Sequence, residues 1–123
     1  MTKEIQKILY DLISKNVPYP VLAYHSEDIP CILIHNVEVE NLPYSQESHR
    51  YDKIKATITI CNEKQATKKC FEIMGTISDL LRGLPTTNSN IRNLSLKRLT
   101  KMNKNHLNAE IEIKFIYINN RKK

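Results

Sequence analysis

The 123 residues include 41% apolar and 26% charged side chains and carry a formal charge of +6. That is enough chain for one domain with its own core and too little for two. Such a composition excludes disorder as the main state, and the modest basic excess attracts polyanions without naming one. Three cysteines, Cys31, Cys61 and Cys70, show no C-x-x-C spacing, which argues against a disulfide framework and a zinc knuckle and fits a reducing compartment. The longest apolar runs, such as Cys31 to Ile34, are four residues, against roughly 20 for a bilayer span, so no membrane segment is expected. Glu4 and Asp11 interrupt the apolar stretch that an N-terminal leader would need. Gly75 and Gly83 are the only glycines, too few for a dinucleotide fingerprint or a phosphate loop, and no cofactor is expected.

In chain order, Ile5, Ile8, Leu9, Leu12 and Ile13 recur at helical spacing, predicting an amphipathic helix over 2–15 with Thr2 as its cap. Pro18 and Pro20 end it and impose extended backbone on Val21 to Tyr24, a short edge strand. The segment CILIHNVEVE alternates. Taken as one unbroken strand, it sends Cys31, Leu33, His35, Val37 and Val39 to the core and Ile32 and Ile34 to the outer face. Residues 51–61 alternate in the opposite parity, with Ile54, Ala56, Ile58 and Ile60 inward; antiparallel pairing then places Glu38 and Glu40 near Lys53 and Lys55. Between the two strands, Asn41 to Arg50 is polar and too long for a tight turn, and reads as a projecting arm.

Asn62 with Gln65 three residues on suggests a capping box, and Gly83 with Pro85 a stop, giving a helix over about 63–82 with Cys70 on its buried stripe. Gly75 inside this helix costs about 1 kcal/mol relative to Ala, and either close approach to a strand or drift explains it. Strands are expected over 91–101 and 107–118, joined by a two-residue loop that sets Leu96 opposite Ile111, Leu94 opposite Ile113 and Lys97 opposite Glu110. The whole reads as a single α+β domain over 1–119, order α-(β)-β-β-α-β-β, followed by a basic tail at 120–123. It comprises an antiparallel sheet of four to five strands with two helices on one face.

Candidate chemistry is sparse. Glu110-x-Glu112-x-Lys114 shares one strand face, as in metal-dependent nucleases, with Asp52 the one strand-adjacent further carboxylate. A solvated strand face carries the same pattern, and no enzymatic activity or metal is expected. No cysteine has a histidine in a nucleophile signature, and His35 reads as a hydrogen-bonded core or interface side chain. Ile32, Ile34, Ile116 and Ile118 fall on otherwise polar faces, which implies cover either by a partner surface or by the 18–30 loop.

The layout as a whole carries a resemblance. A helix ending Ile13-Ser14-Lys15, the lead-in PYPVLAY, the strand IPCILI, a polar arm, KIKATITI running into EKQATKKCFEIMGTISDLLRGL, and a terminal HLNAEIEIKFIYI together resemble the tail terminator and tail-completion proteins of long-tailed phages, prophages and gene transfer agents. The resemblance spans nearly the whole chain and lies in pattern, with no short motif. It implies a structural protein, located in the virion tail or neck and in the host cytoplasm during assembly. It further implies a homo-oligomer, a hexameric ring that caps the tail tube and meets head-tail connector proteins, with DNA passing through. On patterning, Ile32, Ile34, Ile116 and Ile118 are expected at the subunit interface. The arm, with Leu42, Tyr44, His49 and Arg50, is expected to reach a neighbour or the tube. The alternative is a basic nucleic-acid-binding module on the 91–118 hairpin, with Arg92, Lys97, Arg98, Lys101 and Lys104 at phosphates.

Overall fold

A computed structural model describes residues 2–22, 29–42, 49–102 and 106–120. Its elements are α1 (Thr2–Ser14), β1 (Val21–Leu22), β2 (Cys31–Asn41), β3 (His49–Glu63), a 3-10 turn (Lys64–Ala66), α2 (Thr67–Arg82), α3 (Leu84–Thr87), β4 (Ile91–Met102) and β5 (His106–Asn120). The five strands form one sheet in the order β1-β2-β3-β5-β4. β1 runs parallel to β2 and every other pair is antiparallel. The sheet is therefore mixed, where an antiparallel one was expected. A hairpin turn cannot join a parallel pair such as β1 and β2. Asn120 still pairs with His49, so β5 outlasts the expected domain end; residues 121–123 lie outside the described residues.

Helical periodicity turns one stripe of each long helix onto the same sheet face. Ile5, Leu9 and Ile13 of α1 pack over β2, while Cys70, Ile73, Ile77 and Leu81 of α2 pack over β3 and β5. From the sheet, Ile54, Ala56, Ile58 and Ile60 meet Leu107, Ala109, Ile111 and Ile113 in the same layer. Each buried aliphatic side chain contributes roughly 1.5–3 kcal/mol as an upper bound. Helix α2 starts later than expected, because Asn62 continues the β3 ladder opposite Leu107 and the helix opens behind Ala66 without a side-chain cap. Asn62 is buried and accepts a hydrogen bond from the Tyr19 hydroxyl at 2.9 Å. Gly75 has nothing within 4 Å of where a Cβ would sit, so close packing is not its reason.

Two asparagines reset the strand registers. Asn36 and Asn93 have φ of 53° and 55°, in the left-handed region that Asn tolerates better than other non-glycine residues. Each lies at a register shift, between His35 and Glu38 in β2 and between Arg92 and Ser95 in β4. A bulge adds one residue and reverses which parity faces the core. Ile32 and Ile34 are consequently core residues, 0% and 2% exposed, and on the far side of the bulge Val37 and Val39 pack against the same core. This corrects the expectation of a single parity along β2, and it withdraws Ile32 and Ile34 as subunit contacts.

The β4–β5 register is corrected as well. Leu96 lies opposite Ile113 and Lys97 opposite Glu112, two residues from the expected pairing. The same faces are preserved, because two is the side-chain period of a strand. Glu38 opposite Lys55 and Glu40 opposite Lys53 pair as the charge pattern predicted.

Candidate interaction surface

With both long helices on one side, the other sheet face carries the exposed chemistry. Cross-strand register fixes its rows, since directly opposed residues share a face. His35 lies beside Thr57, Glu112 and Lys97; Glu38 beside Lys55, Lys114 and Ser95; Glu40 beside Lys53, Ile116 and Arg92. A groove of about 340 Å³ runs over this face between Glu38 on β2 and Lys101 on β4, with Leu99 on its wall. Leu99 is 47% exposed. It stands on the open face among Ser95, Lys97 and Lys101, an apolar residue out of parity with Leu94 and Leu96. That break in pattern was the signal available in the sequence for a residue otherwise missed.

Glu110, Glu112 and Lys114 share this face, as their spacing predicted. Glu112 Oε1 is 3.4 Å from Lys114 Nζ and 3.9 Å from Lys55 Nζ, and Glu110 Oε2 is 3.5 Å from Lys101 Nζ. Exposed pairs of this kind contribute about 0–1 kcal/mol each. Asp52 cannot join them. It is on the core parity of β3, fully buried, and its two oxygens receive Arg50 Nε at 3.1 and 3.0 Å, with Asn41 Nδ2 at 3.4 Å from one of them. The sheet thus separates the third carboxylate from the other two. Among the described residues no group of three or more His, Cys, Asp and Glu could hold a metal ion.

At one end of the face, Ile116 and Ile118 stand opposite Lys53 and Tyr51, half-buried. Leu42, whose backbone N–H donates to the Tyr51 carbonyl at 2.9 Å, adjoins them. Leu42, Ile116 and Lys114 line a groove of about 370 Å³. The expected arm is thereby shortened: Asn41 belongs to β2, and His49 and Arg50 belong to β3, where Arg50 is tied to Asp52. Tyr44 lies outside the described residues.

At the opposite end, Cys31 faces Cys61 directly. Burial, followed by the neighbouring Cys31 charge and hydrogen bond, pushes the Cys61 thiol up to about 12, which keeps it a thiol and a poor nucleophile. His35 Nε2 and Thr59 Oγ1 share a 2.7 Å hydrogen bond, a structural use of this histidine.

The basic residues expected at phosphates lie on the edge strand. Arg92, Lys97 and Lys101 share the open face, whereas Arg98, opposite Ile111, is on the helix side. Lys104 lies outside the described residues. No family model and no curated protein matches the chain.

Proposed function

We propose that this chain is a structural subunit of a long-tailed phage particle, of the tail-terminator kind, assembling with further copies into a ring that caps the tail tube and meets the head connector. The observation that carries the reading is the sheet face left bare by both long helices. It holds grooves lined by mixed-sign charges rather than a convergent catalytic cluster, an apolar corner at Leu42, Ile116 and Ile118, and the exposed Leu99. Partly apolar surface of this kind is what a neighbouring subunit covers, and a closed ring needs a heterologous contact between two different patches of the same chain. Partners on this reading are further copies, the tube protein and connector proteins, with DNA passing through the lumen. The protein's place is the tail or neck of the virion.

Light scattering of the purified protein, alone and with tubes assembled from the tube protein of the same genome, tests the reading. A ring-sized species, or capture of the protein at tube ends, supports it; a monomer that ignores tubes refutes it.

A nucleic-acid-binding module is the second reading, favoured by one observation: β4 contains Arg92, Lys97, Arg98 and Lys101 and no acidic residue. Binding to mixed-sequence DNA that falls steeply with salt would support it. Glu110 and Glu112, opposite Leu99 and Lys97, weaken the field such a surface presents.

A further inference from the structure

The two edges of the sheet carry opposite charge, and among the described residues most of it closes no ion pair within the chain. At one edge, β1 pairs only with Ile32 and Leu33, so among the described residues the rest of β2 has no strand on its outer side. This stretch holds Glu38 and Glu40, both exposed, with no Lys or Arg in the strand. At the other edge, β4 pairs, among the described residues, only with β5 and carries four basic residues. Lys101 is held by Glu110, whereas Arg92, Lys97 and Arg98 form no ion pair among the described residues; nor do Glu38 and Glu40, although Lys55 and Lys53 stand opposite them and Glu112 stands opposite Lys97. Lysines and bulges on an edge strand also discourage unwanted pairing. Both β4 and β2 have charges and a bulge of this kind, but edge protection does not require the two edges to be opposite in sign.

Strand direction adds a second constraint. β2 and β5 run one way and β3 and β4 the other, so a copy that continues the sheet in the same sense brings its β2 antiparallel to β4. We infer that the acidic β2 edge of one copy docks on the basic β4 edge of the next, extending the sheet head to tail around the ring. This rests on the ring reading and names its interface. If Glu38 lies opposite Lys101, Glu40 falls opposite Leu99; a shift of two residues puts Glu38 opposite Leu99 and Glu40 opposite Lys97. In both registers each carboxylate is directly or diagonally across from a lysine on the same face, and the exposed Leu99 is covered.

The test uses the full chain in three forms: wild type, Lys97→Glu with Lys101→Glu, and Glu38→Lys with Glu40→Lys. All four positions are exposed, and far-UV circular dichroism with thermal melting confirms that each form is folded. Light scattering against concentration is expected to show wild-type rings and, for each variant alone, an assembly midpoint raised by about tenfold or more. An equimolar mixture of the two variants restores assembly, because each acidic edge then meets a basic one. Wild-type rings that persist unchanged in both variants overturn the inference and leave the ring reading standing. Variants that lose assembly alone and regain none on mixing also overturn it. A wild-type chain that stays monomeric, with and without tail tubes, overturns the ring reading and this interface with it.

Discussion

Replacing Asn36 with valine tests the bulge that sets the whole of β2. At φ 53° a side chain branched at Cβ meets the following carbonyl oxygen, at a cost of roughly 1–2 kcal/mol. Asn36 is exposed, so the substitution removes no packing and its effect is nearly all backbone. For a chain of this length each kcal/mol corresponds to about 4 °C in melting temperature, giving an expected drop of about 4–8 °C for Asn36→Val. Asn36→Gly relieves the strain while adding unfolded-state entropy, and its net effect stays within about 0.5 kcal/mol. Lys53→Val, at an exposed position of regular strand, controls for valine itself and is expected to be neutral or mildly stabilising. Deleting Asn36 brings Val37 and Val39 into step with Ile32 and Ile34 in an unbroken ladder, so the deleted chain is expected to fold. Urea and thermal unfolding followed by circular dichroism measure all four. If Asn36→Val matches wild type, or Asn36→Gly falls as far as Asn36→Val, the bulge argument is wrong.

Further outcomes follow from single sites. Gly75→Ala adds a Cβ into open space within α2 and is expected to raise stability by about 1 kcal/mol in urea unfolding; a loss would mean that the space is filled. Arg50→Ala leaves the buried Asp52 carboxylate, among the described residues, with only the 3.4 Å Asn41 contact and is expected to cost about 2 kcal/mol; no change in the unfolding midpoint would refute that ion pair. The Cys61 thiol, raised from 9.0 to about 12, releases its proton more readily in the unfolded chain. Stability tied to it is therefore intact below pH 9 and lost as pH rises toward 12. Cys61→Ser is expected to flatten that alkaline decline, and native Cys61 to resist iodoacetamide at neutral pH until the chain unfolds; rapid native alkylation would contradict both.

Much of the fold was readable because burial follows period. The stripe Ile5, Leu9 and Ile13 and the alternation Ile54, Ala56, Ile58 and Ile60 each have one solution, and the Glu38 and Glu40 pairing with Lys53 and Lys55 followed from charge. What was misread turned on single residues. Asn36 separates the even apolar pair Ile32 and Ile34 from the odd pair Val37 and Val39, and that change of parity is itself the mark of a bulge. Reading the segment as one strand placed two core isoleucines on the surface. Asn93 makes the same break between Ile91 and Leu94. Asn62 has the chemistry of a cap, but its place in the ladder and its bond to Tyr19 took precedence, which no local pattern reveals. Of the surface, the shared face of Glu110, Glu112 and Lys114 was legible from spacing. The opposition of the two sheet edges was not, because it depends on strand order.

Assembly from copies of one chain is measured most directly by particle mass combined with electron micrographs of the purified protein. The expected result is a closed ring of uniform size, present alone or formed on tail tubes. A population that stays monomeric at every concentration and leaves tube ends bare would contradict it.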